Sequence, residues 1–107
     1  MPRKAMVMLT ESMFYVLMAL TQSQMCGIEI NDYVNKKTNG RVVLGPATLY
    51  TILGKFENEK YIEEVDVDGR KRTYAITQKG TDAYRHEVER LKMCIYDAQN
   101  PEVAEVI

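Results

Sequence analysis

The run Tyr61-Ile62-Glu63-Glu64-Val65-Asp66-Val67, then Asp68-Gly69, then Arg70-Lys71-Arg72-Thr73-Tyr74-Ala75-Ile76, decides the fold. Two alternating segments flank an Asp-Gly pair, and that dipeptide suits the positive φ angles a two-residue hairpin turn demands. Ile62 on one arm, with Tyr74 and Ile76 on the other, are expected to face a core at the base of the hairpin. The tip carries three consecutive cations, and the descending arm carries Glu63, Glu64 and Asp66.

Upstream, Gly45-Pro46 opens a helix, with proline in the first turn where its missing N–H costs nothing. Leu49, Ile52, Leu53 and Phe56 follow at i, i+3, i+4 and i+7, which defines its buried face. Ala47, Thr48, Tyr50, Thr51 and Lys55 are left to point outward, a short polar face around one aromatic. Before it, a helix from about Ile28 to Lys37 stops at Asn39-Gly40, residue types that tolerate the left-handed conformation. Earlier still, Thr10 caps a helix in which Met13, Phe14, Val16, Leu17 and Leu20 form a broad apolar face. Downstream, Thr77-Gln78-Lys79-Gly80 starts a last helix reaching about Gln99, stopped by Asn100-Pro101. Its Tyr84, Val88, Leu91, Ile95 and Ala98 recur at spacings of 4, 3, 4 and 3, those of a coiled-coil seam.

The order α-α-α-β-β-α describes a mainly α domain with a small β-hairpin, a winged helix-turn-helix whose C-terminal helix forms a dimer arm. The expected division is an N-terminal arm at 1–9, a DNA-binding domain at 10–76, a dimerisation helix at 77–99 and a tail at 100–107. The chain's 107 residues make a single domain. Apolar residues at 46% and charged residues at 27% are globular averages, which excludes a disordered or fibrous chain. No run is long and apolar enough to span a membrane, and Glu11 breaks the Met6–Leu9 run before a signal peptide is complete, so a cytoplasmic protein is expected. Cys26 and Cys94 lie far apart without a Cys-x-x-Cys pair, so free thiols are expected, with no metal and no cofactor. The single histidine, His86, has no serine or cysteine partner in a catalytic pattern, which argues against an enzyme.

A net charge of −1 excludes a generally basic protein, so any affinity for nucleic acid must come from local charge. Arg70, Lys71 and Arg72 repel one another at a turn, an arrangement that phosphate contacts reward by releasing counterions. Thr48, Tyr50, Thr51 and Lys55 are candidate groove readers, since hydroxyls and a lysine suit both base edges and phosphates. Lys4, with Arg3, is a candidate backbone contact from the arm. Lys36, Lys37 and Arg41 are more simply a solvated helix end. Phe14, Leu17, Tyr84, Val88, Leu91 and Ile95 are expected at the dimer interface. Met6, Met8, Met13, Met18 and Met25 cluster near the first helix, and Met93 lies on the last. Their flexible thioethers suit core filling or an adaptable apolar site. Met8, Leu91 and Ile95 are the candidate pocket for a small apolar or aromatic effector. A competing reading, an interaction or ligand-binding module without DNA binding, rests on the carboxylates between Glu57 and Asp68, which repel phosphate if they face the same surface.

Several blocks resemble PadR-like transcriptional regulators. They are Leu9-Thr10-Glu11 with Phe14 and Leu17–Leu20, Gly40-Arg41 with Leu44-Gly45-Pro46-Ala47-Thr48-Leu49-Tyr50, Gly69-Arg70-Lys71-Arg72-x-Tyr74, and Thr77-x-Lys79-Gly80. The likeness covers about residues 9–98 and is similar to the short branch with one C-terminal helix. It implies a homodimeric repressor that binds a palindromic operator on double-stranded DNA. It implies Thr48, Tyr50 and Lys55 on the recognition helix, Arg70 and Lys71 on the wing, and Tyr84, Val88, Leu91 and Ile95 on the dimerising helix. Some relatives sense phenolic acids or hold planar drugs between subunits beside a Trp, where this chain has Leu91 and no Trp.

Overall fold

A computed structural model describes residues 8–103. The elements are α1 (Glu11–Gln22), β1 (Met25–Cys26), α2 (Gly27–Lys37), α3 (Pro46–Asn58), β2 (Ile62–Asp68), β3 (Lys71–Ile76) and α4 (Gln78–Gln99). The expected arrangement of helices and hairpin is present, with one addition. Met25 pairs with Tyr74 and Cys26 with Thr73, so β3 is the central strand of an antiparallel sheet ordered β1-β3-β2. Two residues are too few to show alternation, which is why sequence periodicity does not reveal β1.

Local chemistry accounts for each boundary. The Thr10 hydroxyl accepts from the Met13 N–H at 3.1 Å and caps α1. The Glu29 carboxylate accepts from the Cys26 N–H at 2.9 Å, which fixes the start of α2 one residue before the expected position. Asn39 and Gly40 at φ +52° and +77° end α2, and Gly45-Pro46 opens α3. Gly69 at φ +61° closes the hairpin, and a bulge between Glu64 and Asp66 leaves Val65 outside the ladder. The Thr77 hydroxyl accepts from the Gly80 N–H at 3.1 Å and donates to the Lys60 carbonyl at 2.6 Å, tying the start of α4 to the end of α3.

The core joins Met13, Val16, Leu17 and Leu20 of α1 to Ile30 and Val34 of α2. Leu49, Ile52, Leu53 and Phe56 of α3 complete it, with Ile62 and Tyr74 of the hairpin. This is the face of α3 that the spacing predicts. Leu17 is a correction: it is fully enclosed by its own protomer and has no surface left to offer a partner. Phe14 and Tyr84, also expected between subunits, stack on each other within the chain at 5.2 Å, their planes 14° apart. That stack seats the first half of α4 against α1. Val88 and Leu91 are half-buried, and Ile95 is 58% exposed. From Lys92 to the last described residue, every side chain is exposed.

Candidate nucleic-acid interface

The buried stripe of α3 forces its other side outward. Thr48, Tyr50, Thr51 and Lys55 are exposed on it, and Tyr50 is 64% exposed rather than tucked beneath the hairpin. The Thr51 hydroxyl donates to the Ala47 carbonyl at 2.9 Å, so its oxygen remains open as an acceptor. Arg70, Lys71 and Arg72 are all exposed at the start of β3. Alternation along the strand sets Arg72 on the side of Tyr74 and Lys71 on the side of Thr73. The Arg72 Nε lies 3.6 Å from the Glu64 carboxylate, a loose, solvent-exposed ion pair.

Between α3 and the hairpin lies a cleft of about 760 Å³. Tyr50, Arg70, Lys71, Arg72 and Tyr74 line it from two sides, and Cys26, Gly27, Ile28 and Glu29 close it at the start of α2. The β1–β3 pairing is what draws α2 to the hairpin. Sequence reading missed this third wall because its signal is a two-residue strand pairing with residues nearly fifty positions away. Among the described residues, Glu29 is the one carboxylate in the lining. The hydrogen bond from the Cys26 amide holds its carboxyl below the ordinary range, and the Lys71 charge adds a smaller pull in the same direction. Of the carboxylates between Glu57 and Asp68, none lines the cleft.

Arg41 and Lys36 are otherwise engaged. Arg41 donates to the Glu11 carboxylate at 2.6 Å and to the Tyr15 hydroxyl at 2.9 Å, which commits it to α1. Hydrogen bonding to Glu11 is the main reason its pKa is raised. Lys36 pairs with Asp32 at 3.0 Å along α2. Lys4 and Arg3 lie outside the described residues. Met8 and Ile95 of the candidate effector pocket are exposed, and Leu91 is half-buried. His86 is exposed on α4, and no group of residues able to hold a metal ion occurs among the described residues. No helix among them is long and apolar enough to cross a membrane.

A polar outward helix beside a hairpin with a cationic tip, both mounted on a three-helix core, defines the winged-helix class of transcription regulators. The model of the transcriptional regulator PadR-like family matches residues 16–86, and the chain belongs to that family. A transcriptional regulator from Clostridium thermocellum is 26% identical, with a TM-score of 0.73 over 86% of this chain and 92% of that one. A PadR family transcription regulator from Clostridium difficile shares the fold at 16% identity and a TM-score of 0.71, over 86% of this chain and 97% of that one. The PcaV transcriptional regulator from Streptomyces coelicolor, solved in complex with its natural ligand, shares it at 18% identity and a TM-score of 0.70. That match spans 90% of this chain and 64% of that one. No curated protein sequence matches the chain.

Proposed function

We propose that the protein is a cytoplasmic, homodimeric, sequence-specific repressor that binds a palindromic operator and is relieved by a small apolar or aromatic molecule. The observation that carries this reading is the meeting of Tyr50 on α3 with Arg70, Lys71 and Arg72 across a cleft that excludes the carboxylates of 57–68. In this reading α3 enters the major groove with Thr48, Tyr50, Thr51 and Lys55 toward the bases, while the hairpin cations follow the adjacent backbone. Lys4 adds a backbone contact from the arm. The free half of α4, with Leu91 and Ile95 on one face, supports a seam between two copies. A space between those copies near Met8, Leu91 and Ile95 is where the effector binds.

The test is titration of the purified protein onto DNA from upstream of its own gene, with random DNA as control, at about 50 and about 200 mM salt. Preference for the upstream DNA by roughly a hundredfold or more, falling steeply with salt, is the expected result. Equal and weak binding to both DNAs would favour the interaction module instead.

A further inference from the structure

The cleft beside Tyr50 carries apolar surface that a phosphate backbone does not use. Ile28, at the start of α2, is 84% exposed, and Tyr50 on α3 is 64% exposed. Both border the same space, whose volume of about 760 Å³ is that of a small-molecule site. Its charge is unbalanced as well. Arg70 and Lys71 have no ion pair within 4 Å among the described residues, whereas Arg72 is shared between the Glu64 carboxylate and the Tyr74 hydroxyl. The lining's own carboxylate, Glu29, is turned to the Cys26 N–H. Two exposed apolar walls with two unpaired cations, Arg70 and Lys71, suit a ligand having both a flat body and more than one negative charge.

We propose that this cleft is a second binding site, for a small molecule that joins a flat aromatic ring to two or more negative charges in the manner of a nucleotide, and that its occupancy excludes DNA. The exclusion rests on the DNA-binding reading above, because the ligand takes the same Tyr50 and the same cations. The ring packs between Tyr50 and Ile28, and the charges meet Arg70 and Lys71. No residue of α4 lines this cleft, so it is distinct from an effector space at the α4 seam between subunits.

The experiment titrates ADP, adenosine and pyrophosphate separately into the ¹⁵N-labelled full chain, and follows fluorescently labelled upstream DNA by anisotropy in the same preparation. ADP is expected to shift the amides of Gly27–Glu29 and Lys71–Tyr74 and to lower the DNA anisotropy. Adenosine and pyrophosphate, each holding half of the chemistry, bind more weakly. Tyr50→Ala, at an exposed position that leaves the fold intact, weakens ADP by roughly tenfold and pyrophosphate by much less. Pyrophosphate binding as well as ADP would overturn the proposal, since charge alone would then explain the site. Absence of shifts at these amides up to about 2 mM ADP, an affinity too weak to regulate, would also overturn it. In that case the anisotropy still reports independently on DNA binding. ADP in the cleft with DNA retained would overturn the exclusion, and a protein that binds ADP but no DNA would remove the reading on which exclusion rests.

Discussion

At Glu87, a carboxylate 2% exposed accepts hydrogen bonds from the Leu9 N–H at 3.2 Å and from Arg90 Nε and Nη2 at 2.7 and 2.8 Å. These bonds, Arg90's foremost, hold its carboxyl below the ordinary 4.5 despite burial. A depressed folded value contributes stability that is complete above the unfolded pKa and fades as pH falls through the folded one. Glu87→Gln is therefore expected to cost about 1–3 kcal/mol at neutral pH in urea unfolding. It should also reduce the loss of stability on acidification. A variant as stable as the parent across that range would show that the bonds contribute nothing net. On the hairpin, replacing Arg70 and Lys71 together by Ala should weaken DNA binding at all sequences. The slope of log affinity against log salt should flatten by about one unit for each phosphate no longer neutralised. An unchanged slope would remove the hairpin from the DNA interface.

Among the elements, α4 depends on a close approach at its first turn. A Cβ on Gly80 would collide with the Tyr61 carbonyl, which is backbone and has little room to yield. Gly80→Ala should cost about 3 kcal/mol and lower the unfolding midpoint; a neutral result would mean that α4 can slide along the core. Farther along, Leu91→Glu sets a charge in the proposed seam and should give monomers by analytical ultracentrifugation. A persistent dimer would exclude a seam through Leu91. The elements legible in sequence are those with local signals. Asp68-Gly69, Asn39-Gly40 and Gly45-Pro46 mark their turns by residue type, and α3 shows its buried stripe by spacing. Leu17 shares its periodicity with α1's core face, so spacing alone does not tell a protomer's core from a partner's surface. The β1 pairing, the Glu87 bonds to Leu9 and Arg90 and the third wall of the cleft involve partners brought together by folding, mostly from distant positions. For the site, residue types on α3 and the hairpin are readable, but Ile28 and Glu29 become part of it only through the sheet.

For the whole molecule, a net charge of −1 conceals separation. Cations gather around the cleft, and the carboxylates of β2 are kept out of its lining. Binding to DNA is then a matter of orientation rather than overall attraction, and at low salt the protein should bind random DNA only weakly. The shape is also informative. A radius of gyration of 16.2 Å exceeds the ~13 Å of a compact chain of about 100 residues, and the longest dimension is 65 Å. The 22-residue α4, about 33 Å long, provides much of that extension. Small-angle scattering should report a particle of twice the chain's mass, in which α4 no longer projects alone; a monomer with the extents above would exclude the arm as a dimer element.

The strand order has a consequence for how copies of the chain meet. β3 is paired along its length by β2 and at Thr73 and Tyr74 by β1, but among the described residues β2 has no strand on its outer side. A bare strand of this kind invites another chain to extend the sheet, copy upon copy, without a natural stopping point. Here the bulge at Val65 interrupts the strand, while Glu63 and Asp66 bring like charges together on any two strands that tried to align. Fibrous growth through the hairpin is thereby discouraged, and assembly is left to α4, whose proposed seam closes after two subunits.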